Sequence, residues 1–205
     1  MATVRPLRPP PVERDPALSD RALDNLRFIR ETMERAGTFT AISGWGIVAV
    51  GVVAMMAALV AEWRPTVAWR VGTWVATAAV CIAISMWATA RKARRTDLSM
   101  VSGPAQKLAL AFSPAMVVGA LLTVALLRIG ANDLLPGVWL LLYGTAVVAG
   151  GAFSVRIIPV MGLCFMVLGA AALFTPPWLG SWLMVGGFGV VHVAFGIQIA
   201  RRHGG

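Results

Sequence analysis

One histidine within the apolar segments is the residue best suited to chemistry in this chain. His192 lies in the last apolar stretch, and the only other histidine, His203, follows in a polar tail. An imidazole inside a membrane can form a packing hydrogen bond, bind or gate a ligand, or ligate a metal. We favour packing. His192 is a weak haem candidate, because haem usually needs a second strong axial ligand and His203 lies too far along the chain to supply it.

Glycines near His192 predict its orientation. Gly186, Gly189 and Gly196 lie at helical spacings from His192 and share one helix face with it. Such a face lets a neighbouring helix approach closely within a membrane. We therefore expect all four residues to take part in helix packing. We also expect His192 to have a hydrogen-bond partner, since an imidazole in hydrocarbon would leave its nitrogens unsatisfied.

No other pattern in the sequence predicts catalysis. Cys81 and Cys164 lie in separate apolar segments without a Cys-x-x-Cys partner, so we interpret them as packing residues that form no disulfide. Phosphate-binding loops, Gly-x-Ser-x-Gly elbows and His-Glu-x-x-His motifs are all missing from the chain. The sequence thus predicts neither an enzyme nor a cofactor, and we expect no nucleic-acid partner.

Composition predicts that lipid surrounds the chain. Of its 205 residues, 58% are hydrophobic and 13% are charged, and the mean hydropathy is +0.76. A soluble core of this size could not bury so much apolar surface. Apolar runs of about 20 residues without alternation predict helices, which satisfy their own backbone groups in a bilayer. The predicted fold is all-α, a bundle of six transmembrane helices over residues 41–61, 71–90, 108–127, 134–153, 157–174 and 178–200.

Two further segments precede the first membrane helix. Residues 1–16 are rich in proline and arginine, which predicts a disordered cytoplasmic tail. In residues 19–36, apolar side chains recur at spacings of three and four, and the opposite face carries balanced charge. We expect an amphipathic helix over residues 17–37, lying at the membrane interface or contacting a partner protein. The rest of the chain is then a transmembrane domain, residues 38–200, and a tail, residues 201–205.

Basic residues predict the orientation. A cluster follows the second apolar segment and consists of Arg91, Lys92, Arg94 and Arg95. Such a cluster sets topology and can also hold anionic lipid headgroups. With an inside amino terminus, 15 of the 18 lysines and arginines fall on inner segments. Because cytoplasmic loops retain an excess of these residues, we expect both termini to be cytoplasmic.

After this cluster, residues 98–112 again show apolar spacings of three and four. This pattern predicts a second short amphipathic element that joins the third membrane segment at Pro114.

A recurring Gly-x-Trp pattern suggests an internal repeat. It occurs at residues 72–74, 137–139 and 180–182, and Gly144 then matches Gly187 in the same alignment. One interpretation is three copies of a helical hairpin. The other is that turn glycines and tryptophans are both common at the outer membrane boundary.

Both ends of the chain resemble a group of known sequences. Residues 26–35 (LRFIRETMER), 39–41 (FTA) and 44–46 (GWG) look like the opening of uncharacterised bacterial multi-pass membrane proteins, and residues 195–196 (FG) and 199–205 (IARRHGG) are similar to their ending. The resemblance implies a bacterial inner-membrane location. It implies no activity, substrate or functional residue.

Two functions are compatible with these features. The first is a membrane scaffold or accessory subunit that packs against a second copy or a membrane or cytoplasmic protein, using residues 19–36 and its glycine faces. The second is a small pore or carrier for an uncharged or weakly polar solute, with His192, Thr145, Ser85 and Thr77 lining the path. We favour the scaffold, because a conduit needs a continuous polar stripe and these hydroxyls are isolated among apolar residues.

Overall fold

The computed structural model describes residues 21, 23–29, 41–64, 66–95 and 102–203. The chain divides into two compact units, Met1–Ala36 and Gly37–Gly205. In the first unit, residues 21 and 23–29 are helical, and Arg27 Nη1 lies 3.9 Å from Asp24 Oδ1. These residues lie within the segment predicted as an amphipathic helix, residues 17–37. The remainder of that helix and the predicted tail over residues 1–16 lie outside the described residues.

The second unit is built from apolar helices in chain order. They are α1 (Gly44–Glu62), α2 (Val67–Arg95), α3 (Gly103–Ile129), α4 (Leu135–Gly151), α5 (Ile157–Phe174), α6 (Pro177–Met184), a π-helical segment (Val185–Val191) and α7 (His192–His203). The last three pieces are continuous, and we call them the sixth span. A 3₁₀ turn, Asn132–Leu134, precedes α4 and belongs to the fourth span. All six resulting spans are long and apolar enough to cross a membrane, and the described residues contain no strand. The predicted all-α bundle of six spans is confirmed.

The helix ends follow from local chemistry. Ser43 caps α1, because the Gly46 backbone N–H donates to Ser43 Oγ at 3.1 Å. Gly130 ends α3 with a φ of 73°, a left-handed conformation that favours glycine. Thr175 and Pro176 separate α5 from α6, and Pro177 is the first residue of α6. These stops place the chain reversals close to the positions that the sequence predicts.

The third span differs from the prediction. Helix α3 starts at Gly103 and runs without a break through Pro114, so the short separate element predicted up to Pro114 is wrong for residues 103–112. Its first part, residues 98–101, lies outside the described residues. Proline removes one backbone hydrogen bond, but interrupting the helix inside hydrocarbon would leave several backbone groups unsatisfied. Continuing the helix is therefore the less costly arrangement.

Two pairs of helices pack closely through glycines. Gly44 and Gly51 on α1 meet Gly196 and Gly189 on the sixth span, in antiparallel order. A Cβ added to Gly51 would lie 2.8 Å from the Gly189 carbonyl oxygen, and one added to Gly196 would lie 2.9 Å from the Gly44 carbonyl oxygen. Only glycine permits backbones to come this close.

The second pair repeats this arrangement. Gly137, Gly144 and Gly151 on α4 pack against α5, where Gly162 faces Gly144. A Cβ on either Gly144 or Gly162 would lie 2.7 Å from the other residue's carbonyl oxygen. In both pairs the glycines recur every seven residues, the period that keeps one seam in contact between helices that supercoil left-handedly.

The other two spans lie at the periphery. Helix α2 packs mainly against α1, and α3 packs mainly against α4. None of the most apolar stretch of α2 is buried against the protein. Their outward side chains, including Val75, Ile82, Leu110 and Leu121, are large, apolar and exposed. In a bilayer these faces are covered by lipid chains.

The internal repeat stays a prediction. Trp139 is half-buried, and its Nε1 donates to Thr123 Oγ1 at 2.8 Å, whereas its proposed counterpart Trp182 is 67% exposed. Gly144 faces α5, while Gly187 lies against Leu140 and Phe165. The proposed counterparts thus have different surroundings.

Candidate ligand-binding cavity

The centre of the bundle contains a hydrogen-bonded pair of side chains. His192 is only 2% exposed, at the point where the π-helical segment ends and α7 begins. Its Nε2 lies 2.8 Å from the Tyr143 hydroxyl on α4, and its Nδ1 lies 3.0 Å from the Phe188 carbonyl oxygen. The expectation that His192 faces the protein and has a polar partner is therefore met.

These two contacts define which atoms donate. A carbonyl oxygen can only accept, so His192 Nδ1 carries the proton directed at Phe188. In a neutral imidazole the other nitrogen, Nε2, is then an acceptor, and the Tyr143 hydroxyl donates to it. The neutral form fits this site, because an unpaired buried charge would be costly. Tyr143 thereby keeps its oxygen lone pairs available as acceptors.

Aromatic rings surround the pair. Phe165 lies edge-on to both rings, with centroids 4.8 Å from Tyr143 and 5.1 Å from His192, and Phe188 stacks on His192 at 6.2 Å. Phe112 from α3 meets Tyr143 edge-on at 6.0 Å. Such contacts hold the rings in defined orientations. The pair is thus positioned by side chains from several spans.

The backbone that presents His192 is unusual. Val185–Val191 is π-helical, with the sequence VGGFGVV, so the chain makes a wider turn than in an α-helix before it reaches His192. Runs of this kind are rare and occur frequently at functional sites. Within this segment Gly187 and Gly189 pack closely on neighbouring spans, and a Cβ added to either would force a neighbouring side chain to shift. The wide turn changes the register of the sixth span immediately before His192.

A cavity of about 190 Å³ adjoins this pair. All six spans contribute to its wall, and Tyr143 and His192 form part of it. Most of the wall is apolar, and its other hydroxyl-bearing residues are Ser43, Ser85 and Thr89. The cavity lies in the half of the bundle where α1 begins and α2 ends. An apolar pocket with a few convergent polar groups is the usual form of a small-molecule site.

The predicted glycine face is only partly correct. Gly189 and Gly196 pack against α1, as expected. Gly186 does not take part, since a Cβ there would meet nothing within 4 Å. The π-helical segment explains the difference, because its wider turn takes Gly186 off the face that a regular α-helix would give it.

The four residues of the basic cluster differ in their exposure. Arg91, Arg94 and Arg95 are exposed, and the Arg91 guanidinium lies 5.4 Å from the Trp87 ring centre. Lys92 is instead 9% exposed, and its Nζ donates to the Ile42 carbonyl oxygen at 3.1 Å. Because α2 continues to Arg95, successive cluster residues point to different sides of one helix. Lys92 therefore joins α2 to the start of α1.

Of the hydroxyls predicted to line a path, Ser85 lies in the cavity wall. Thr145 is exposed, and its hydroxyl donates to the Leu141 carbonyl oxygen of its own helix. The Thr77 hydroxyl likewise donates to the Thr73 carbonyl oxygen, and Thr77 is not part of the cavity wall. Sequence reasoning missed Tyr143, although it is the only tyrosine in the chain and lies within an apolar span.

The described part of the chain contains no group of three His, Cys, Asp or Glu side chains that could hold a metal ion. Both nitrogens of His192 are engaged in hydrogen bonds, which leaves none directed at a haem iron. Cys81 Sγ lies 3.9 Å from the Val50 carbonyl oxygen, and both Cys81 and Cys164 are free thiols.

Comparison of this chain with protein-family models, curated proteins and solved structures finds no match. The resemblance of its two ends to bacterial multi-pass membrane proteins therefore stays a prediction.

Proposed function

We propose that this protein binds a small uncharged or weakly polar molecule within the membrane and acts as a carrier or pore for it. The cavity beside Tyr143 and His192 carries this proposal. Its volume of about 190 Å³ suits a molecule of one ring or a short chain. Its wall offers hydroxyl groups and no charged side chain, which favours an uncharged ligand.

The peripheral helices suggest how a ligand enters. Ser85 and Thr89 on α2 and Leu108 and Phe112 on α3 all belong to the cavity wall. Each of these helices packs mainly on a single neighbour, so moving one of them mainly disturbs the contact with that neighbour. We propose that ligands pass between α2 and α3.

The scaffold hypothesis is the second candidate. It rested on glycine faces that could hold a partner, but the closest glycine contacts lie within the chain, between α1 and the sixth span and between α4 and α5. The amino-terminal helical segment is the feature that still favours it, since Leu26 and Ile29 are exposed there. A partner protein or a second copy would bind through residues 19–36.

The proposed location is the bacterial inner membrane, with both termini in the cytoplasm. The excess of arginine and lysine on one set of segments supports this orientation. Arg91, Arg94 and Arg95 are exposed at the end of α2, on the side proposed to be cytoplasmic. They are the residues that would contact anionic headgroups there.

Co-purification tests the function. Wild-type protein is extracted from native membranes, denatured, and its released small molecules are identified by mass spectrometry. Thr89→Phe adds a ring to the cavity wall, and the matched control Thr145→Phe makes the same change on an exposed surface. A molecule released from wild type and the control, and lost from Thr89→Phe, supports the proposal. Identical profiles from all three proteins contradict it.

A further inference from the structure

We infer that the ligand of this cavity is a one-ring aromatic molecule that carries a hydrogen-bond donor, such as a phenol. This inference rests on the proposed function and names the chemical class of its ligand. Three observations lead to it: the protonation pattern of the Tyr143–His192 pair, the aromatic wall and the volume.

The pair offers an acceptor. His192 Nδ1–H donates to the Phe188 carbonyl oxygen, and the Tyr143 hydroxyl donates to His192 Nε2, so neither side chain has a further proton to donate. The Tyr143 oxygen still has lone pairs, and Tyr143 lines the cavity. A ligand hydroxyl can donate to that oxygen, whereas an ether or carbonyl at the same place would only add a second acceptor. The Tyr143–His192 pair therefore selects for a ligand group that donates a hydrogen bond.

The side chains of the cavity wall favour an aromatic ligand. Phe112 and Tyr143 lie edge-on to each other, and both line the cavity together with His192 and Met161. Aromatic edges and faces, and a methionine sulfur, each interact favourably with another aromatic ring. The remaining wall is mostly aliphatic and provides no competing charge. A flat apolar ring gains contact on several sides here.

The volume of the cavity limits the size of the ligand. An apolar cavity of about 150 Å³ can hold benzene. At about 190 Å³, this cavity accommodates one benzene ring with a small substituent. A fused multi-ring compound would need the helices to separate.

Two fluorinated probes test the donor requirement. Binding of 4-fluorophenol and 4-fluoroanisole to purified protein is measured by fluorine NMR. Because Thr89→Phe fills the cavity, the signal from that variant gives the background from probe dissolved in detergent. The two probes share the ring and the fluorine, and only the phenol has a donor. We expect wild type and Thr145→Phe to bind 4-fluorophenol about tenfold more tightly than 4-fluoroanisole, which is the effect of one buried hydrogen bond.

A double variant tests whether the Tyr143–His192 pair causes the preference for the phenol. Tyr143→Phe combined with His192→Leu removes both polar groups at once, and replacing both partners with apolar groups is tolerated better than removing one. The phenol preference should then disappear. If it persists, the acceptor is elsewhere and the inference is overturned.

The outcomes separate this inference from the proposed function. Equal binding of both probes to wild type, lost in Thr89→Phe, overturns the donor requirement and leaves a ligand-binding cavity. If neither probe binds in a way that Thr89→Phe abolishes, the ligand class is wrong. The co-purification profiles then decide the proposed function independently.

Discussion

The Tyr143 hydroxyl lies 2.8 Å from Nε2 of His192, across the contact between α4 and the sixth span. Tyr143 belongs to the pair of helices formed by α4 and α5, and His192 to the pair formed by α1 and the sixth span. Each pair is held by glycine contacts of its own. The hydrogen bond therefore joins two separately packed halves of the bundle, at the wall of its central cavity.

His192→Ala should lower the thermal stability of the protein in detergent. The substitution removes a buried ring and leaves the Tyr143 hydroxyl without its acceptor, which together cost about 2–4 kcal/mol. His192→Gln and His192→Asn keep a polar contact and should recover part of the loss. Unfolding midpoints from intrinsic fluorescence measure the effect. His203→Ala is the control, and an equal midpoint for the His192 and His203 alanine variants would show that the pair contributes nothing.

Gly144→Ala should destabilise the protein, whereas Gly72→Ala should not. A methyl group on Gly144 would meet the Gly162 carbonyl oxygen at 2.7 Å, so α4 and α5 must separate at an expected cost of about 1–3 kcal/mol. Gly72 is exposed, with nothing within 4 Å of such a methyl group, and alanine is the better helix former there. Denaturation in detergent compares the two variants. Similar midpoints would contradict the close packing.

Lys92 should react more slowly than Lys107 with a water-soluble amine-acylating reagent. Lys92 is nearly buried and donates to the Ile42 carbonyl oxygen, while Lys107 is exposed. These are the two lysines of the chain, so peptide mass spectrometry can follow both in one sample. The protein unfolded in dodecyl sulfate serves as control, and there the two rates should converge. Equal rates in the folded protein would mean that Lys92 is open to the aqueous phase.

Reporter fusions should reveal the orientation. We expect a fusion after Arg95 to report a cytoplasmic position and one after Asn132 to report the opposite side. The reason is that most lysines and arginines lie on the segments that share the side of Arg95. An alkaline phosphatase and a fluorescent protein at each site give opposite signals. The reverse pattern would overturn the proposed topology and place the termini outside.

Composition and apolar run length were enough to predict the all-α class and six spans, because lipid demands that each segment satisfy its own backbone. Glycine and proline at the turns likewise placed most helix ends within a few residues. His192 could be selected as a buried polar residue for the same reason, since a lone imidazole within apolar sequence needs a partner inside the protein.

Tertiary structure alone decided which partner that is. Tyr143 lies 49 residues from His192, and no local pattern pairs two such positions. The sequence also treated the sixth span as a regular helix, and the π-helical segment changed its register, which took Gly186 out of the glycine contact. Lys92 and Thr145 were assigned by residue type, but the side of the helix that each occupies depends on how the spans pack. The cavity exists only where six spans meet, so its volume and the placement of the Tyr143 hydroxyl in its wall are properties of the assembled bundle.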